Sequence, residues 1–423
     1  MSSDHDSVHD SVHDSVQGRV HDGQSRGWYF TSIASFMIPA GIQAVLLPHL
    51  LAIQLHQDAT RFGVTQMLGQ LPLLILLPIG GWLADRRDSR QLLMGLQAGA
   101  IVVPLTLAWA LWQTRLNESL VLLYAVSWGM IAAFAMPARD GLLSRVAGSN
   151  VQRMVTLTMG VQFGTQIIGY GIGGLTEHSG PIAILLAQCT VLLLGIHAAR
   201  QLPAGASNGG AAQVANRRGA IWSELSGGLT LLLANAPMRA AFLLTAGIGV
   251  FFVGTFVVLM PFALRDLYDG RAQDISLGFA VFSIGTLTSI AGLMRSGGVR
   301  YPGRALVAVL YFGCAVLLPV ALAPPEWLFY VCIFCWGMGG GVAMTMARTI
   351  MQEHAPASHR ARVLAAFALA NAGGAPIGSL LMGLAVAAAG VQLAVLLPIL
   401  GVATVTTVVL VTHSIWQLQS TSK

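Results

Sequence analysis

The stretch from Gly80 to Arg90, GGWLADRRDSR, places two carboxylates, Asp85 and Asp88, and three guanidiniums, Arg86, Arg87 and Arg90, between two long apolar runs. Groups of opposite charge this close can form charge-assisted hydrogen bonds. At the mouth of an apolar helix such a pair can hold two elements together and then let them part. Other chemistry is not encoded. The Gly-rich stretches carry no following Lys-Ser/Thr, so there is no phosphate loop, and no paired-carboxylate or zinc-ligand spacing sits on a polar domain. The four cysteines, Cys189, Cys314, Cys332 and Cys335, lie in apolar runs where a thiol packs as a small apolar group. No enzyme activity, metal or cofactor is expected.

The charged turn is positioned by what surrounds it. A chain of 423 residues that is 55% hydrophobic and 9% charged has too little polar surface to dissolve as a globule. An all-α membrane protein is expected. The net charge of +6 is scattered in short clusters, which excludes a nucleic-acid stripe. A spanning helix needs about 20 apolar residues. Twelve such runs are read at 28–54, 62–83, 91–113, 119–138, 154–175, 180–199, 239–263, 275–294, 304–323, 326–347, 362–387 and 391–413. The domain layout follows. Residues 1–27, with the tandem His-Asp-Ser-Val at His5, His9 and His13, form a disordered tail. Residues 28–199 and 239–413 form two six-helix bundles, and 414–423 a second tail. Residues 200–238 form a linker, Pro/Gly/Ser-rich to Arg218, with an amphipathic helix through Trp222, Leu225, Leu229 and Leu232.

Lys and Arg counted loop by loop give 19 on one side and 4 on the other, the latter Arg61, Arg115, Arg265 and Arg271. The positive-inside rule then puts both termini in the cytoplasm and requires an even number of spans. Shifting the sequence by 209 residues superposes Gly69 on Gly278, Ala138-Arg139 on Ala347-Arg348, Arg153 on Arg362, and Gly164, Gly169 and Gly174 on Gly373, Gly378 and Gly383. Helix 2 falls on helix 8 and helix 5 on helix 11, a parallel repeat with pseudo-two-fold symmetry.

Two sixes of helices, a long middle linker and a charged turn after helix 2 resemble the major facilitator superfamily. Gly81, Asp85, Arg86 and Arg90 match that family's turn pattern. Asp88, together with Met136-Pro-Ala-Arg139, is similar to the branch that includes the enterobactin exporters. The resemblance implies a transporter whose gate pairs Asp85 with Arg139 and the start of helix 11. It also implies an antiporter pattern in helix 5, Gly-Pro, two residues, Gly-Gly, matched by Gly169, Gly173 and Gly174 except that Tyr170 replaces Pro. From the residues alone, Gly164, Gly169, Gly173 and Gly174 are a helix-packing face.

A substrate site is expected near the bilayer midplane between the halves. The polar and aromatic residues at that depth are Gln43, Gln70, Trp128, Gln162, Gln166, Trp336 and Asn371, and no charged residue lies in the middle of a span. That composition suits an amphipathic aromatic cargo, a siderophore or drug-like molecule, exported through the inner membrane by a monomer. If protons drive export, the titrating group lies near an end: Asp85, Asp140, Glu177, His49 or His178. Two other readings stay open: a transporter-like receptor or assembly subunit without transport, and a lysophospholipid or uptake facilitator of the same fold.

Overall fold

Helices follow the apolar runs and stop where capping chemistry stops them. The computed structural model describes residues 4–146, 151–202, 220–296, 299–356 and 359–419, and the side chains of residues 4–24, Asp85, Arg153, Trp222, Arg362 and Asn371 lie outside the described set. Most of the expected Pro/Gly/Ser-rich linker also falls outside it. The long helices are α1 (Asp4–Pro48), α2 (Ala59–Arg86), α3 (Ser89–Trp112), α4 (Glu118–Val146), α5 (Val151–Gly174), the short α6 (Thr176–Ser179) and α7 (Pro181–Arg200). They continue with α8 (Ala220–Ala234), α9 (Ala236–Gly247), α10 (Met260–Tyr268), α11 (Ala272–Arg295), α12 (Pro302–Leu317), α13 (Glu326–His354), α14 (Arg360–Ala394) and α15 (Leu396–Thr412). Stretches of π-helix, His49–Gln54 after α1 and Ile248–Val253 and Thr255–Leu259 between α9 and α10, carry two of these helices onward.

The boundaries have local causes. Asp58 caps α2 by accepting the Arg61 N–H at 2.8 Å. Asp88 caps α3 by accepting the Arg90 N–H at 3.0 Å, so the second carboxylate of the charged turn starts a helix. Gly390, at φ 74°, breaks α14 between the two runs read as separate spans, and a left-handed residue there requires glycine.

Ten helices among the described residues are long and apolar enough to cross a membrane. Two of the twelve expected runs are not among them. Leu396–Thr412 is a shorter apolar helix, and α5 carries Gln152, Arg153, Gln162 and Gln166 among its 24 residues. A belt of exposed apolar side chains, including Leu322, Val411 and Trp112, faces outward as it does in a bilayer-embedded protein. The tail differs from expectation, because α1 begins at Asp4. Extending a helix already nucleated by its buried part costs little per residue.

One end of the molecule, here the far end, gathers the turns 55–58, 113–117, 175–180, 269–271 and 323–325. Ties between them include Arg61–Glu118 at 3.1 Å and the Tyr268 hydroxyl donating to the Pro324 carbonyl at 2.6 Å. Within the first half α1 packs on α5, α2 on α4 and α3 on α7. Within the second, α11 packs on α13, α12 on α15, and α14 on the π-helical stretch 248–253. The linker helix α8 lies on α14 and α9, with Leu232 buried and Leu229 and Leu233 exposed.

At the opposite end a clasp holds the C-terminus. Arg239 Nε donates to His413 Nε2 at 2.8 Å and its Nη1 donates to the Leu233 carbonyl of α8 at 3.0 Å. Arg304 Nε donates to the Trp416 carbonyl at 2.9 Å, and Ile415 is buried. Burial first, and the Arg239 guanidinium second, hold the His413 pKa below the ordinary histidine range. A depressed histidine pKa favours the neutral ring, so the tie is fully present above about pH 6.5 and is lost as the pH falls through that range. Hydrogen exchange of residues 413–417 should therefore rise between pH 7.5 and pH 5, and His413→Gln should remove most of that change. An unchanged response in the variant would place the sensitivity elsewhere.

Candidate functional site

The structure brings the two halves together along two seams at the far end. On one, α5 packs on α11; on the other, α2 packs on α14. The Tyr170 ring stacks on Phe279 at 5.3 Å with an interplanar angle of 24°, and its carbonyl accepts from Ser276 Oγ at 2.7 Å. Gly174 lets Ser276 approach, since a Cβ there would sit 2.8 Å from Ser276 Cβ. On the other seam Gln70 Nε2 donates to Ser379 Oγ at 3.0 Å, and Gly63 meets Gly383 so closely that a Cβ on Gly63 would lie 2.9 Å from the Gly383 Cα. The 209-residue shift exchanges these fasteners. It carries Gln70 onto Phe279 and Tyr170 onto Ser379, so the stack and the hydrogen bond join sequence positions related by that shift with different chemistry.

Deleting either partner of the Gln70–Ser379 hydrogen bond should cost about 1 kcal/mol. In a double-mutant cycle, Gln70→Ala and Ser379→Ala should show a coupling of about 0.5–1.5 kcal/mol in thermal stability. Strict additivity would mean the bond contributes nothing.

From Phe279 the rings continue into the second half. Phe256 lies 4.8 Å from Phe279 and 4.3 Å from Phe282, Phe282 lies 5.2 Å from Trp336, and Trp336 lies 5.6 Å from Phe252. These six rings run from the seam to the buried interior without a charged side chain among them. Phe252 and Phe256 are presented by the π-helical stretches, and Gly254 permits α14 to lie against that backbone, where a Cβ would collide with Gly378. Phe256 and Phe282 keep part of their surface open. Such a wall can take a flat or apolar ligand by stacking and edge contacts.

The residues singled out from the sequence distribute unevenly. Trp336 belongs to the ring chain and Gln70 to the second seam. Gln43, Gln162 and Gln166 are half-buried. Trp128 is buried against Ala100 and Leu192 inside the first half, which makes it packing for α1, α3, α4 and α7. The Asn371 side chain lies outside the described residues. Grooves of about 170 Å³ between α3 and α4 and about 320 Å³ at the α2–α3 turn contain none of these seven residues.

Among the expected gate residues, the Asp85 side chain also lies outside the described set, so its pairing with Arg139 is not observed. Arg139 is 8% exposed, with its guanidinium 5.4 Å from the Phe36 ring and its Nε and Nη1 without a hydrogen-bond partner among the described residues. Arg86 is exposed over the Trp82 ring at 4.4 Å, and Gly81 has open space where a Cβ would stand. Arg90 contributes its backbone N–H to the α3 cap. In the glycine face, Gly169 and Gly173 pack on α1 and Gly174 on α11, whereas Gly164 faces open space.

The sequence profile of the Major Facilitator Superfamily matches residues 29–379 and, in a second segment, 298–418. The chain belongs to this superfamily. It is 28% identical over 378 residues to the multidrug efflux pump Tap of Mycobacterium bovis, covering 85% of this chain and 87% of that protein. It is also 28% identical over 126 residues to the uncharacterized MFS-type transporter YfiS of Bacillus subtilis, 30% of this chain and 29% of that one. Among solved structures, the nucleoside transporter NupG superposes with a TM-score of 0.71 at 12% identity, covering 94% of this chain and 99% of that one. The inward-open xylose transporter XylE from E. coli superposes with a TM-score of 0.65 at 12% identity, covering 96% and 97%. These likenesses make the protein a multi-pass membrane transporter and not an enzyme.

Within this superfamily fold, sequence reasoning had noticed Tyr170 only as a missing proline. Its role was not legible there, because the partner ring is 109 positions away. The aromatic spacing was visible in principle: Phe252 and Phe256 are four apart, and Phe279 and Phe282 three apart, which places each pair on one helix face.

Proposed function

We propose that this superfamily member is a secondary active exporter of small amphipathic, drug-like molecules. Its twelve passes form two pseudo-symmetric six-helix halves, residues 28–199 and 239–413, that rock about the seams in alternating access. Both termini face the cytoplasm and the inner membrane is its site, as the 19-to-4 distribution of basic residues supports. The carrying observation is the uncharged chain of six rings beginning at the seam between the halves. A multidrug pump as a relative favours the same class of cargo. The likeness to enterobactin exporters weighs less, because Asp88 has a local task as the α3 cap.

Export is driven by inward movement of protons, and Asp85 with Arg139 latches the terminal end. The test is flux of an uncharged aromatic dye in proteoliposomes under an imposed pH gradient. Gradient-dependent flux in the native protein, reduced about ten-fold or more by Phe256→Ala or Trp336→Ala, supports the reading. Dye binding without gradient-dependent flux would make the chain a receptor of transporter form.

A further inference from the structure

The two seams are equivalent in position but not in charge. At the rim of the α5–α11 seam, Glu177 Oε1 accepts the backbone N–H of Ala272 at 3.2 Å, which is the first residue of α11. Its Oε2 lies 3.9 Å from Arg271 Nε, and the neighbouring His178 Nδ1 is 2.8 Å from Gln273 Nε2. The 209-residue shift carries Glu177 onto Val386 and His178 onto Ala387, and it carries Phe62 onto Arg271. The α2–α14 seam therefore has no titratable counterpart at these positions; it closes through Gly63, Gly383 and the Phe62–Phe262 edge contact.

We propose that Glu177 is a proton-operated latch of the far end. Ionised, it caps α11 from the opposite half, its charge meeting the positive end of that helix's dipole. The Arg271 pair adds little, since Arg271 is 77% exposed. A proton taken from far-side water onto the carboxylate gives a neutral acid, removes the charge interaction and frees the α5–α11 edge. The α2–α14 edge does not respond.

The other charged and titratable groups facing this rim are His178 beside it, Arg271 and Asp274 on α11, and buried His49, which lies within electrostatic reach of Glu177. Arg265, whose Nη1 donates to the Ala52 carbonyl at 3.4 Å, and its neighbour Asp266 complete the set. Asp274 is engaged with the Arg271 N–H at 2.7 Å, and a histidine bonded to a glutamine amide keeps its contact on protonation if the amide turns over. Glu177 is the group whose protonation removes a tie.

The inference rests on the rocking-transporter reading but not on what is carried. The test measures distances between spin labels across each seam in the full-length protein with its four cysteines replaced. One pair is Leu175→Cys with Leu277→Cys for α5–α11; the other is Thr60→Cys with Leu384→Cys for α2–α14. Lowering the pH from 7.5 to about 3, well below the ordinary glutamate pKa of about 4.3, should reduce the closed population of the first pair about two- to five-fold and leave the second unchanged. Glu177→Gln should show the low-pH distribution at both values, and Glu177→Asp and His178→Ala should keep the response. Should Glu177→Gln prove unstable, Ala272→Pro, which removes the same N–H at the first helical position, gives the same readout. Equal movement of both seams, or a pH response that survives Glu177→Gln, overturns the latch. A responding seam in a protein without dye flux would support the latch and refute the export reading.

Discussion

Replacing Tyr170 by alanine should open the far end of the molecule. The side chain is 3% exposed and bridges the halves through its ring stack on Phe279. Truncating a buried aromatic costs about 3–5 kcal/mol. Because Phe279 belongs to the other half, most of that cost falls on the closed form and lowers its population relative to the open form by about two orders of magnitude. Export should fall correspondingly while cargo binding persists. Tyr170→Phe keeps the stack and should shift the population far less than the alanine variant does. The label pair across α5 and α11 reads both variants, and equal effects would show that the ring contributes nothing.

The second large effect concerns two glycines five positions apart in α5. A Cβ on Gly169 would collide with the Ile38 carbonyl and lie 2.9 Å from the Gly41 Cα, so valine there meets backbone that cannot turn aside. Overpacking of this kind costs about 1–3 kcal/mol even where neighbouring side chains can yield. Gly169→Val should therefore exceed that range, with loss of folded yield or a fall in Tm of several degrees. Gly164→Val, which meets nothing within 4 Å, should stay within about 0.5 kcal/mol of the native protein. If both lowered Tm equally, helix propensity and not the α1–α5 contact would be the cause.

These variants also mark the limits of reading the chain without its structure. Long apolar runs bounded by Asp58, Asp88, Gly180 and Gly390 were legible because the stops are local: a carboxylate two or three residues before an N–H, or a glycine at positive φ. Helix 5 was harder, because its glutamines dilute its hydropathy; in the structure Gly169 and Gly173 lie against α1. Depth in the membrane could be estimated from position along a run, but the face could not. Trp128 and Trp336 looked alike in sequence, and one fills the interior of the first half while the other lies within a chain of rings. Glu177 was recognisable as a titratable group near an end. Its cap on α11 was not, since nothing local to residue 177 announces a backbone N–H 95 positions later.

The π-helical stretches have a mechanical consequence. They interrupt the path of the helix that opens each half: His49–Gln54 in the first, and Ile248–Val253 and Thr255–Leu259 in the second. Each wide turn holds one residue more than an α-turn, so tightening it moves that residue along the chain. In α geometry a shift of one residue is a rotation of about 100° with a translation of about 1.5 Å. Such a slip at 255–259 would replace Phe256 on the ring wall by Val257 without unfolding the helix. A slip of this kind would turn the stretch like a dial, presenting one face to the interior and withdrawing the other.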